Sequence, residues 1–152
     1  ITNIGGTSAD MGNAVFVAAM LELPTMAFFT KMSEKINCGT LIKFSILMFV
    51  VKHALTYFAT NMIMIYLAQV CQMFAYALFV PASVYYVNKK IAVADRVKGQ
   101  SLVTTSMTLS GVFANFAGGI MLDALGVGHV LLAGVVLSIV GAVIVILMTE
   151  KV

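Results

Sequence analysis

Five long apolar runs constrain the fold of this 152-residue sequence more than any other feature. They cover residues 11–30, 41–59, 62–87, 102–122 and 130–148, and each contains 19 to 26 residues. A helix needs about 20 apolar residues to cross a bilayer, so each run is long enough to span. Only 10% of the residues are charged, whereas globular domains carry about a quarter. We therefore predict an all-α integral membrane protein with five transmembrane helices in one domain, residues 1–152.

Basic residues are unequally divided between the two sides of this predicted bundle. Because the connections between runs are short, neighbouring helices should be antiparallel. Eight of the nine basic residues then fall on one side, namely Lys31, Lys35, Lys43, Lys89, Lys90, Arg96, Lys98 and Lys151. By the positive-inside rule this side is cytoplasmic. We expect a multi-pass protein of the plasma or inner membrane with a cytoplasmic C-terminus, and the net charge of +3 then reflects topology and not nucleic-acid binding.

Glu22 and Pro24 interrupt the first run near its middle. A carboxylate at mid-membrane depth costs roughly 2.5–3.5 kcal/mol and usually faces a protein interior or a wet cavity. Pro24 cannot donate a hydrogen bond to the carbonyl of Met20, so we expect a kink in this helix. Pro81 predicts a second kink, or an early end, in the third helix. Glu22 is thus the first candidate functional residue.

Lys52 is the expected counter-charge of Glu22. At about 1.5 Å per residue, Lys52 lies about 12 Å and Glu22 about 17 Å below the outer ends of their antiparallel helices, at similar depth. Buried charges are expected to be paired, so we predict a charge pair. The alternative is that Lys52 extends to the outer headgroups. The neighbouring His53 is expected to hydrogen-bond between helices.

Polar residues recur at helical spacing in the third and fourth runs. One face of the third helix carries Gln69, Gln72, Tyr76 and Ser83, and the fourth has its own stripe of Ser101, Thr105, Thr108 and Asn115. Amides and a phenol along one face suit recognition of a hydroxyl-rich solute, and hydrogen bonding between helices explains them equally well. The predicted substrate cavity consists of Gln69, Gln72, Tyr76 and Asn115. Small residues of the fourth run, including Gly111, Gly118 and Gly119, predict close helix packing.

The sequence offers no candidate residues for metal or hydrolytic chemistry. The two cysteines, Cys38 and Cys71, lie on different elements without metal-ligand spacing, and the two histidines, His53 and His129, are far apart. Free thiols are the expected state of both cysteines. We predict no metal site, no cofactor and no enzymatic activity.

Several short motifs together resemble a known family. They are Met20 to Leu23, Lys52 with Phe58 to Thr60, Gln72 to Phe74, Asp95 to Gln100 and Gly118 to Gly126. Their order and spacing resemble helices eight to twelve of the major facilitator superfamily, especially its lactose permease-like proton symporter branch. The resemblance implies that the five helices form most of one six-helix bundle. One further helix on the N-terminal side, and the whole other half of the transporter, are then expected in a longer chain.

The resemblance also assigns roles to the two buried charges. In that branch the acid of the eighth helix handles substrate and protons, and a basic residue of the ninth helix belongs to the coupling network; Glu22 and Lys52 match these positions. The branch has a histidine and a second carboxylate in its tenth helix, where this sequence has Gln72 and Ala75. We expect a secondary transporter of a small polar organic solute, sugar-like or nucleoside-like, whose partners are the solute, protons, the missing half and the bilayer.

Two other functions remain open from the sequence. One is an exporter, acting as a proton antiporter, in which Glu22 attracts cationic or amphipathic compounds. The other is a non-transporting membrane scaffold whose polar stripes only join helices.

Overall fold

Five long helices form the protein in the computed structural model, which describes residues 4–150. They are α1 (Ser8–Lys35), α2 (Cys38–Tyr57), α3 (Met62–Lys90), α4 (Arg96–Leu125) and α5 (Val127–Met148), with a short 3-10 helix at Val93–Asp95. Each long helix has the length and apolar composition needed to cross a membrane. No strand occurs in the described residues. The predicted all-helical membrane fold is confirmed, and Lys151 lies outside the described residues.

Local sequence chemistry sets the helix ends. Helix α1 begins before its apolar run because Thr7 and Asp10 form a capping box: the Asp10 N–H donates to Thr7 Oγ1 at 3.2 Å, and the Thr7 N–H donates to Asp10 Oδ2 at 2.8 Å. Helix α3 begins where Asn61 Oδ1 accepts from the Met64 N–H at 3.1 Å. Gly126, with φ of 82°, separates α4 from α5, and this positive φ favours glycine.

Both prolines lie inside continuous helices. Helix α1 runs through Pro24, and α3 runs through Pro81 to Lys90. The alternative of an early helix end at Pro81 is therefore wrong, because α3 continues to its two terminal lysines. The two kinks stay predictions.

The tightest packing joins α1, α2 and α3. Helix α3 packs extensively on α2 and on α1, and α5 packs on α2. A buried cluster at this junction consists of Phe29, Leu41, Ile42, Leu78 and Ala82. Beyond the end of α5, Glu150 forms an ion pair with Lys90, and its N–H donates to Tyr86 Oη at 3.3 Å. The end of α5 is thereby fixed beside the end of α3.

Helix α4 packs thinly on the rest of the bundle. Its single buried residue is Gly99, where an added Cβ would lie 2.5 Å from Ile91 Cδ1 and 2.9 Å from Val87 Cγ1. At Gly111, Gly118 and Gly119 an added Cβ would meet no atom within 4 Å among residues 4–150. The predicted close packing of these three glycines is therefore not found in the described part of the chain.

Candidate functional site

Lys52 is the centre of the candidate site. It lies on α2, partly buried, and its Nζ donates a hydrogen bond of 2.5 Å to Oε1 of Gln72 on α3. A lysine ammonium within a membrane span requires such a polar partner, because lipid supplies none. The Lys52 side chain thus points to α3 and does not extend to the headgroups, which was the predicted alternative.

Glu22 lies near Lys52 but does not form a direct ion pair with it. Among residues 4–150, the ion pairs with N···O distances of 4.0 Å or less are Lys90–Glu150 and Lys98–Asp95. The partly buried Glu22 carboxylate attracts the Lys52 ammonium electrostatically over a longer distance. The expected contact of the two charges is thus replaced by the Lys52–Gln72 hydrogen bond. Their role as a coupling pair stays a prediction.

Cys71 is a further group beside Lys52. It precedes Gln72 on α3, is a partly buried free thiol, and lies near the lysine. The sequence predicted only a free thiol at Cys71, and its position next to Gln72 was the available signal for a place in the site. The site therefore comprises Glu22 of α1, Lys52 of α2, and Cys71 and Gln72 of α3.

The other predicted cavity residues lie apart from this charged group. Gln69 is partly buried on α3, one turn before Gln72, and no side-chain hydrogen bond involves it within the described residues. Tyr76 is 45% exposed and lines a different cleft. Asn115 is exposed on α4 and its Nδ2 donates to the Gly111 carbonyl at 2.9 Å. The five described helices thus do not bring the four residues together.

The cleft beside Tyr76 lies between α2, α3 and α4 and has a volume of about 890 Å³. Its walls are mainly aromatic and apolar, with a few polar side chains: Phe49, His53, Tyr76, Phe79, Leu102, Val103, Ser106, Met107, Ser110, Gly111 and Ala114. Clefts of this size and lining are typical of small-molecule sites. Tyr76 is the predicted site residue that contributes to its wall.

The contacts of His53 differ from those predicted from the sequence. Its Nδ1 lies 2.8 Å from the Phe49 carbonyl, one turn earlier on the same helix, and its ring stacks on Phe49 with centroids 6.4 Å apart. An added Cβ on Gly134 of α5 would meet His53 Cδ2 at 3.3 Å. The histidine therefore packs between α2 and α5 and lines the cleft. Its described hydrogen bond is to a carbonyl of its own helix, in place of the expected hydrogen bond between helices.

The sequence contained a signal for the cleft wall that the predicted stripe missed. Ser106, Ser110 and Ala114 are spaced four residues apart and share one face of α4. The predicted stripe instead follows Thr105, Thr108 and Asn115, a neighbouring face. Spacing alone could not decide which face meets α2 and α3.

Within residues 4–150, no cluster of three or more His, Cys, Asp or Glu side chains is placed to hold a metal ion. The side chains at the site can bind a proton at a carboxylate, attract charge, and form hydrogen bonds through amides, a phenol and hydroxyls.

No curated protein and no solved structure matches the chain, whereas a protein-family model does. The family model of the Major Facilitator Superfamily matches residues 1–152, which is the full length of the sequence. Together with the five membrane-spanning helices, this match identifies the chain as belonging to the Major Facilitator Superfamily of membrane transporters.

Proposed function

We propose that this chain is part of a proton-coupled symporter for a small polar organic solute, sugar-like or nucleoside-like. It would supply helices eight to twelve of a lactose permease-like transporter, and the rest of the protein would supply the other wall of the cavity. Its C-terminus would lie in the cytoplasm, on the side of the basic loops.

The observation that supports proton coupling is the placement of Glu22 and Lys52. Both are partly buried on different helices within apolar spans, and the carboxylate lies near the ammonium without a direct ion pair. Charges at such depth are rare and usually serve ion or substrate handling. Protonation of Glu22 removes one charge of this group, which changes the attraction between α1 and α2. A proton can thereby shift the balance between inward- and outward-open arrangements.

The observation that supports a polar solute is the line of Gln69, Gln72 and Tyr76 along α3. The Lys52 ammonium occupies Oε1 of Gln72 and leaves its NH₂ group free to donate. The Gln69 amide and the Tyr76 hydroxyl continue the same helical face. Such groups hydrogen-bond to the hydroxyls of a sugar or nucleoside.

The experiment is uptake by the full-length protein in proteoliposomes, with sugars and nucleosides as candidate solutes and an imposed proton gradient. Glu22→Gln should abolish gradient-driven accumulation while downhill exchange of solute survives. Glu34→Gln, an exposed acid at the end of the same helix, serves as the matched control and should accumulate normally. Full accumulation by Glu22→Gln would show that another residue is the coupling acid.

The aromatic cleft favours a second candidate function, export of amphipathic compounds by proton antiport. Phe49, Tyr76 and Phe79 present ring surfaces to a space of about 890 Å³, which suits an apolar ligand with one polar group. Ala114→Trp would fill this cleft. Loss of dye export in this variant, with sugar and nucleoside uptake absent from the unmodified protein, would favour the exporter over the symporter.

A further inference from the structure

Lys52 hydrogen-bonds to a neutral acceptor although an acid lies nearby. Its Nζ donates to the Gln72 amide at 2.5 Å, while the Glu22 carboxylate attracts it from beyond ion-pair distance. A charged ammonium binds a charged carboxylate more strongly than a neutral amide. In the described arrangement the amide, and not the acid, accepts the hydrogen bond from the ammonium.

The described groups near Lys52 lie on α1 and α3. They are Glu22 on α1, and Cys71 and Gln72 on α3, while on α2 itself the Thr56 hydroxyl donates to the Lys52 carbonyl at 2.9 Å. Among these, Glu22 and Gln72 are the strong acceptors for an ammonium proton. One lysine on α2 thus has an acceptor in hydrogen-bond contact on α3 and a second, more distant acceptor on α1.

We infer that Gln72 is a positioning residue that holds the Lys52 ammonium while Glu22 is protonated, and that Lys52 turns to Glu22 when this carboxylate is charged. The contribution to coupling rests on the proposed function. The two-acceptor arrangement itself does not depend on the proposed function. Because one of the two acceptors is always available, the lysine has a partner in both protonation states.

This arrangement makes protonation of Glu22 change the contacts between helices. With Glu22 charged, the ammonium links α2 to α1, and with Glu22 neutral it links α2 to α3. Protonation of one carboxylate thereby exchanges one contact between helices for another. Coupling requires such an element with two states.

The test is a stability cycle on the purified full-length protein, with the melting temperature as the readout. Gln72→Leu and Glu22→Met each remove one acceptor and leave the other, so each alone should lower Tm slightly. The double variant leaves the ammonium without an acceptor in the membrane, and its loss of Tm should exceed the sum of the single losses by about 2–4 °C. Additive losses would overturn the two-acceptor arrangement.

Two control sets make the result specific. Gln69→Leu lies one turn away on α3 and should combine additively with Glu22→Met. Adding Lys52→Met to the double variant removes the ammonium that needs an acceptor, and should recover most of the lost Tm and expression. If the double variant fails to fold, recovery in this triple variant still supports the inference, and its failure to recover overturns it.

A transport readout separates a positioning role from direct solute binding. In Gln72→Leu the lysine can bind only Glu22 and favours its charged form, so half-maximal proton-driven uptake should move to lower pH by about one unit. In the Lys52→Met background, Gln72→Leu should cause no further shift; an equal shift there would overturn the inference. If the unmodified protein shows no proton-driven uptake, the proposed function fails, and the stability cycle still decides whether Gln72 positions Lys52.

Discussion

The side chains of Lys52 and Gln72 join α2 to α3 by a hydrogen bond of 2.5 Å in the middle of two apolar helices. This contact places a positive charge next to a neutral amide, with the negative charge of Glu22 farther away on α1. Removing Lys52 therefore affects two neighbours at once. The amide loses its donor, and the carboxylate loses a nearby cation.

Lys52→Met is expected to destabilise the protein by on the order of 1–3 kcal/mol, because it leaves Glu22 without a counter-charge and Gln72 Oε1 without its donor. Adding Glu22→Gln should restore much of this loss, since removing both members of a buried charge pair is often nearly neutral. Thermal unfolding of the purified full-length variants measures both effects. A double variant less stable than Lys52→Met alone would show that the two charges do not stabilise each other.

Gly99 should not tolerate even the smallest side chain. The methyl group of Gly99→Ala would lie 2.5 Å from Ile91 Cδ1 and 2.9 Å from Val87 Cγ1, so that these side chains or the first turn of α4 must shift. Overpacking of this kind typically costs about 1–3 kcal/mol. Gly118→Ala on the same helix is the matched control, because its Cβ meets no described atom within 4 Å and alanine stabilises a helix by roughly 0.5–1 kcal/mol relative to glycine. The same melting temperature for both variants would contradict the packing of α4 at Gly99.

The helices could be predicted from the sequence because run length and bilayer thickness limit the possible structures. The five apolar runs correspond one to one with α1 to α5. Helix caps explain where a helix begins before its apolar run, as at Thr7 and Asp10 of α1. These features depend on residues close in sequence, which a single sequence displays directly.

The partners of the site residues could not be predicted in the same way. Estimated depth placed Lys52 level with Glu22, and gave no information on the rotation of α2 about its axis. That rotation directs Lys52 toward Gln72 on α3, so the hydrogen bond forms there. The same missing information left undecided which stripe of α4 meets α3, and the cleft uses Ser106 and Ser110, which the predicted stripe omits.

The contact between Glu150 and α3 should depend on pH. The hydrogen bond from Lys90 holds the pKa of the Glu150 carboxyl below its ordinary value of 4.5. A lowered pKa means that the contact is fully present above pH 4.5 and is lost as the pH falls through the lowered value. Spin labels at Lys89 and Thr149, in a variant with Cys38 and Cys71 replaced by serine, should report one narrow distance at neutral pH and a broad distribution in strong acid.

Glu150→Gln should broaden this distance distribution already at neutral pH, because the amide cannot form the ion pair with Lys90. Glu34→Gln, which changes an exposed acid outside the described ion pairs, should leave the distribution narrow. A narrow distribution in Glu150→Gln at neutral pH would show that the Tyr86 contact alone fixes the end of α5.

The distribution of basic residues predicts the topology of the protein. The α3–α4 connection is flanked by Lys89, Lys90, Arg96 and Lys98, whereas the α2–α3 and α4–α5 connections carry no lysine or arginine. Because basic loops stay in the cytoplasm, a reporter fused at Asn88 should be active in a cytoplasmic assay, and reporters fused at Asn61 and Gly126 should be active only outside. Replacing the four basic residues by glutamine should weaken this preference, while the same replacement at Lys52, within a span, should not alter it. An outside location for Asn88 in the unmodified protein would reverse the predicted orientation, and opposite locations for Asn61 and Gly126 would contradict the crossing of the membrane by both α3 and α4.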